Sequence, residues 1–269
     1  MKINGVTYHV DVIGDGEHHV LMLHGFTGRG SNFKEMISGF PGSGDFTFIL
    51  IDQLGHGKTD IPMDPKRYNI ENATADLKEI IDKLGISRVS LYGYSMGGRL
   101  ALSFAISYPS FVRKLVLESS SPGLKTNEER SKRQQADEKL AEKILGEGLQ
   151  SFVEFWSNIP LFESQKVLPE SKRKGIYEQR MDNSAIGLAN SLRGMGTGIQ
   201  PSYWEHLTQI RFPVLLTAGE WDEKFVSIAQ EMIKRIEKSH FIKISEAGHA
   251  IHVEKPRKFG KIVSEFLSN

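Results

Sequence analysis

Five residues, Gly93-Tyr94-Ser95-Met96-Gly97, match the pattern G-x-S-x-G. They lie directly after an apolar run, RVSLYG, and directly before a helical pattern, MGGRLALSFAIS, which is the context of a nucleophile elbow. A serine at the tip of such a turn has a strained backbone. Gly93 and Gly97 supply positions without side chains where strand and helix approach closely. A serine hydroxyl is a weak nucleophile or base at neutral pH and needs an imidazole beside it. Of the nine histidines, His249 is the first choice, because it follows the last strand run, FIKIS, in the loop EAGHAIH, and so falls at the same sheet edge as Ser95. His252 is the runner-up. His24 and His56 sit among glycines as loop-shaping residues, and His9, His18, His19 and His206 have no evident partner.

The imidazole in turn needs a carboxylate to hold its tautomer and stabilise its charged form. Asp222 ends the strand run PVLLTAGEWD and precedes the helical pattern FVSIAQEMIKRI, while Glu220 and Glu118 also end strands and remain alternatives. His24-Gly25-Phe26-Thr27-Gly28 follows the strand VLML and would bring the backbone N–H of Phe26 near that of Met96. Two such donors make an oxyanion hole. The glycines form neither G-x-G-x-x-G nor G-x-x-x-x-G-K, so nucleotide binding is unsupported.

Short apolar runs at HHVLMLHG, DFTFILIDQ, RVSLYGYS, VRKLVLESS, PVLLTAGE and HFIKISEAG read as buried parallel strands, each with apolar residues on both faces. Residues 72–85, 96–107, 225–236 and 256–267 carry helical spacing between and after them. This alternation predicts a mostly parallel central sheet flanked by helices. The N-terminal Ile3, Val6, Tyr8, Val10 and Val12 predict antiparallel edge strands with a turn. From about Pro122 to Tyr203 no strand signal appears. A capping box, Thr126 with Glu129, starts a polar helix through about Leu145, followed by FVEFW, RKGIYEQRM and AIGLANSLRGMG. The expected organisation is a core of residues 1–121 and 204–269 with an all-helical lid, 122–203, inserted over the strand ends.

At 269 residues the chain is near the upper limit of one hydrophobic core, which favours one domain with an insertion. Its 34 Lys and Arg against 33 Asp and Glu leave a net charge of +1, so no global field favours nucleic acid or an anionic membrane. Basic sites must be local. The absence of Cys removes disulfides, thiolate metal sites and cysteine nucleophiles. No apolar run approaches the roughly 20 residues of a membrane span, and the N-terminus lacks a signal-peptide pattern, so a cytoplasmic location is expected.

HGFTG, DQLGHG, GYSMGG, AGEWD and AGHAIH are together similar, in kind and order, to the α/β-hydrolase superfamily over the whole chain. The order Ser95, Asp222, His249 is also the order of that superfamily. More specifically, ESSSPGL at 118–124, NEERSKRQ at 127–134, SLRGMGTGIQPS at 191–202 and AGEWDEKF at 218–225 resemble the 2-succinyl-6-hydroxy-2,4-cyclohexadiene-1-carboxylate synthase family, lyases of menaquinone biosynthesis. The resemblance implies an α/β-hydrolase fold, elimination of pyruvate from an anionic cyclohexene with three carboxylates, and no metal or organic cofactor. It also implies triad-assisted proton abstraction without an acyl-enzyme.

A tri-anion in a water-poor pocket needs fixed positive charge. Arg99 lies four residues past Ser95, one turn along the elbow helix, where a solvated role is hard to sustain. Arg133 and Arg180 match the resembled family at ERSKR and YEQR, with Arg130 and Arg193 as nearby competitors. Guanidinium groups bind carboxylates in bidentate fashion. Tyr94 and Trp156 match positions that line the resembled family's pocket. The rival enzyme reading is a carboxylesterase or carbon–carbon bond hydrolase with the same triad. A non-catalytic receptor on this fold is the rival from another class, and an intact Ser95, Asp222 and His249 speaks against it.

Overall fold

The computed structural model describes residues 1–269. A two-stranded ribbon of β1 (Lys2–Ile3) and β2 (Val6–Thr7) opens the chain. β3 (Val10–Ile13), β4 (His18–Leu23), the short α1 (Lys34–Ile37), β5 (Phe46–Ile51), α2 (Ile70–Lys83), β6 (Val89–Tyr94), α3 (Met96–Ser107) and β7 (Val112–Glu118) follow. Next come α4 (Asn127–Ser157), α5 (Glu170–Met181) and α6 (Ala185–Met195). The chain then forms β8 (Val214–Gly219), α7 (Glu223–Met232), β9 (Ser239–Ile244), α8 (Ile251–Glu254) and α9 (Pro256–Ser268).

The seven-stranded sheet has the order β3-β5-β4-β6-β7-β8-β9, with every pair parallel except β3 against β5. From β4 the chain moves outward to β5 and then crosses back to β6 on the other side, so the direction of winding reverses between β4 and β6. Crevices at the carboxyl ends of strands open at such a point. Four central strands, β5, β6, β7 and β8, are buried along almost their whole length, as their apolar runs predict. β9 departs from that expectation. It is the outer strand, paired only with β8, and every residue but the last, Ile244, is exposed or half-buried.

Helices cover both faces. Apolar residues of α2, α3 and α7 pack into one core with Leu21, Ile49, Leu91 and Leu117, while α1, α8 and α9 pack into a second with Met22, Leu50, Tyr92 and Val116. Neighbouring residues of one strand thus serve opposite cores, as alternation in a strand requires. The paired caps are as expected, with Thr126 Oγ1 accepting from the Glu129 N–H while Glu129 accepts from the Thr126 N–H.

Between β7 and β8 every regular element is helical. α4 is broken at Gly148, whose φ of +86° lies in the left-handed region. That break lets Phe152 and Val153 meet Ala141, Ile144, Leu188 and Leu192 in a small core of the segment's own. The segment leaves and rejoins the sheet at neighbouring points: the Tyr203 N–H donates to the Pro122 carbonyl at 2.7 Å, and β7 pairs directly with β8. No helix is long and apolar enough to cross a membrane.

Candidate active site

Ser95 sits between β6, the middle strand, and α3, with φ +50° and ψ −108°, a conformation that costs an L-residue strain. Its surroundings hold it there. The Ser95 N–H donates to the Glu118 carbonyl at 2.9 Å, and the Ser95 carbonyl accepts from the Ser120 hydroxyl at 3.0 Å. The glycines are needed for the reason their spacing suggests. A Cβ at Gly97 would lie 2.1 Å from the Leu23 carbonyl oxygen, and one at Gly93 2.5 Å from Gly97 O.

His249, after β9, places Nε2 3.0 Å from Ser95 Oγ and Nδ1 2.7 Å from Asp222 Oδ2. A carboxylate only accepts, so Nδ1 carries the proton toward Asp222 and Nε2 is left to accept from the serine hydroxyl. Asp222 lies three residues beyond the end of β8, at the N-cap of α7. All three side chains stand at carboxyl ends of parallel strands. The rings of Tyr94, Phe225 and Phe162 enclose His249.

The alternatives go elsewhere. His252 turns its Nδ1 to Glu118, 2.9 Å away, and its own backbone N–H also donates to Glu118 at 3.0 Å. Tyr92 donates to the same carboxylate. Glu118 and His252 thus tie the His249 loop to β7 and do not reach Ser95. Glu220 accepts from the Glu246 N–H on the surface. His24 accepts from the Gln53 N–H, and His56 lies 5.2 Å from its ring. Burial pushes His24 down to about 4, and burial with His24 alongside pushes His56 down to about 3.

A cavity of about 200 Å³ opens over Ser95 and His249. Phe26 and Met96 both line it, and the backbone N–H of neither is spent on a carbonyl of a turn or loop. Arg99 lines it too, only 7% exposed, its Nη1 and Nη2 donating to Gln200 Oε1 and the Met195 carbonyl. No carboxylate pairs with it. Burial, with Arg133 nearby, brings it down to about 10. Arg133 lines the cavity from α4 while its Nε donates to the buried Asp137 at 2.7 Å. Tyr94 and Trp156 are in the lining as well, and the indole N–H of Trp156 is buried without a partner.

Arg180 is different. It does not line the cavity over Ser95 but an adjoining one of about 160 Å³, and Phe162 is the residue that lines both. Of the competitors, Arg193 forks onto Glu138 and Arg130 turns to Asn127, neither of them in the cavity. Lys224, Phe225 and Phe162 were not expected in the site, yet all three line the cavity. For Lys224 and Phe225 a signal existed, since they follow Asp222 by two and three residues. For Phe162 there was none.

Residues 18–256 match a family model described as the alpha/beta hydrolase fold. A Bacillus subtilis (strain 168) protein named "Putative 2-succinyl-6-hydroxy-2,4-cyclohexadiene-1-carboxylate synthase" is 51% identical over 99% of this chain and 96% of its own. The 2-succinyl-6-hydroxy-2,4-cyclohexadiene-1-carboxylate synthase of Escherichia coli O1:K1 / APEC is 29% identical over 88% of each chain. Among solved structures, MenH from S. aureus superposes with a TM-score of 0.92 at 36% identity, covering 97% of this chain and 98% of that one. With this fold and these relatives, the chain belongs to the alpha/beta hydrolase fold family and, within it, to the family of the 2-succinyl-6-hydroxy-2,4-cyclohexadiene-1-carboxylate synthases.

Proposed function

We propose that this protein is a cofactor-independent lyase of menaquinone biosynthesis. It eliminates pyruvate from 2-succinyl-5-enolpyruvyl-6-hydroxy-3-cyclohexene-1-carboxylate and leaves 2-succinyl-6-hydroxy-2,4-cyclohexadiene-1-carboxylate. The observation that carries the reading, beside the family, is Arg99: a nearly buried guanidinium with no carboxylate partner in the same cavity as Ser95. A buried charge of that kind calls for an anionic ligand. A neutral ester gives it none.

In this reading His249, oriented by Asp222, takes the Ser95 proton, and the serine oxygen removes the proton from the ring carbon α to the succinyl ketone. The electron pair moves onto the ketone oxygen, which the N–H groups of Phe26 and Met96 stabilise as an enolate. Collapse of the enolate through the ring double bond breaks the carbon–oxygen bond to the enolpyruvyl group. That group picks up a proton and leaves as pyruvate. Arg99 and Arg133, with Lys224, hold substrate carboxylates beside the reacting ring, and Tyr94 and Trp156 enclose it. Arg180 holds a carboxylate only when its alcove is joined to the cavity. Residues 122–203 act as the lid over the core of 1–121 and 204–269.

Incubation with the enolpyruvyl precursor, following pyruvate release, tests the reading. Stoichiometric pyruvate with formation of the cyclohexadiene is expected. Hydrolysis of simple esters without any pyruvate release overturns it in favour of an esterase.

A further inference from the structure

Two neighbouring cavities share one side chain. Phe162 lines both the Ser95 cavity and the alcove that holds Arg180. His249 and Trp156 meet its ring edge-on at 6.2 Å and 5.8 Å, and the Arg180 guanidinium lies 4.6 Å from its centroid. Arg180 is only 6% exposed, yet no carboxylate reaches it. Two of its five N–H donors have protein partners, Ser157 at 2.8 Å and Gln165 at 3.5 Å, both neutral. Lys166 and Arg173 also line the alcove and no acid does. Beside those two neutral hydrogen bonds, the face of Phe162 is the third partner of this cation.

The ring sits on a tractable part of the chain. Pro160–Val167 is a run of tight turns whose helical geometry is interrupted at Phe162 itself, with φ −110° and ψ 16°. A ring carried there turns without dragging a continuous helix. An arriving carboxylate competes with the π face for Arg180, because a charge-assisted hydrogen bond is stronger than a cation–π contact.

We propose that Phe162 is a specificity-determining door: a carboxylate group draws Arg180 off the Phe162 ring, the ring turns away, and the Ser95 cavity and the Arg180 alcove become one chamber. The alcove is then a small-carboxylate subsite that the cavity over Ser95 lacks while the ring is in place. A neutral ligand cannot open it. The inference rests on the anionic substrate class proposed above and adds to it the residue that admits the charge.

The test uses succinate as a small dicarboxylate probe and the emission of Trp156, whose ring touches Phe162. Titration of the wild type should give a saturable change that disappears in Trp156→Phe. Phe162→Ala should bind succinate about two- to thirty-fold more tightly, since the anion no longer displaces the π face. Phe162→Leu keeps apolar bulk and removes the face, so it should tighten binding in the same direction should the alanine variant fold poorly. Arg180→Gln should remove the binding in every background. Unchanged affinity in both Phe162 variants, binding that survives Arg180→Gln, or no saturable change at all each overturns the door. No turnover enters this titration. Succinate binding as described without pyruvate release from the precursor would keep the door and discard the synthase reading, and pyruvate release with unaltered succinate affinity would do the reverse.

Discussion

The sheet edge and the helical segment above it are built by opposite means. At the edge, Ser95, Asp222 and His249 come from three strand ends whose spacing is fixed by the parallel ladder, and Gly93 and Gly97 let backbones touch. The strands beneath them cannot shift without unpairing. The segment between β7 and β8 has no ladder; it packs through a small core of its own, is broken at Gly148, and supplies Arg133 and Arg180 on separate helices. The difference teaches a division of labour. In the mechanism proposed above, the reacting groups sit where geometry is stiff, and two of the three arginines proposed to select the ligand sit where geometry can adjust.

The comparison breaks most visibly at the edge. Ser95→Ala and His249→Ala should each lower kcat for pyruvate release by about 10⁴-fold or more, and the double variant should lose little further, because the two act as one proton-transfer unit. Near-normal turnover of folded Ser95→Ala would detach the chemistry from the sheet edge altogether. Arg99→Lys lies at the border, since its helix belongs to the edge but its side chain lines the cavity. It keeps the charge and loses the planar fork, so kcat/KM should fall roughly 10- to 150-fold. Unchanged kinetics would place Arg99 outside recognition.

A smaller effect distinguishes the two regions by pH. His24 and His56 are buried beneath the site, with pKa values lowered to about 4 and about 3 from 6.5. The unfolded chain therefore takes up these protons first. Stability should be level above pH 6.5 and fall as the pH drops from 6.5 toward 4, by about 1 to 2 kcal/mol per ring at pH 5. Denaturant midpoints at pH 7 and pH 5 read this, and His56→Gln should flatten the fall. A slope indifferent to that variant would move the acid lability away from the sheet edge. The smallest expected effect belongs to the helical segment: Arg133→Ala, half-exposed and already paired to Asp137, should cost about fivefold in kcat/KM on the anionic precursor. That loss should shrink as salt rises, with a small neutral ester unaffected. Equal losses on both ligands would reveal a packing defect instead.

The sheet and its site were readable because their signals are local. The elbow is five consecutive residues, and the parallel strands announce themselves as apolar runs. Position within the sheet is not local, which is why β9 read as buried although it lies at the edge. Likewise His252 and His249 lie three residues apart, and only the tertiary placement of Glu118 and Asp222 decides which ring faces the serine. Arg180 shows the same limit in the helical segment. Its sequence neighbours matched a recognition position, but whether a side chain faces one cavity or the next depends on Phe162, eighteen residues earlier in an irregular turn.

The hydrogen bond from Tyr203 to Pro122 has a consequence for how such molecules diversify. Because the two ends of the helical segment are clasped together above a directly paired β7 and β8, the sheet registers only a closed junction, whatever length of chain lies beyond it. Lengthening that excursion costs little closure entropy, since the cost grows only with the logarithm of loop length. The segment is in that sense a transplantable cassette: one of different length could replace it at this junction without re-pairing β7 and β8.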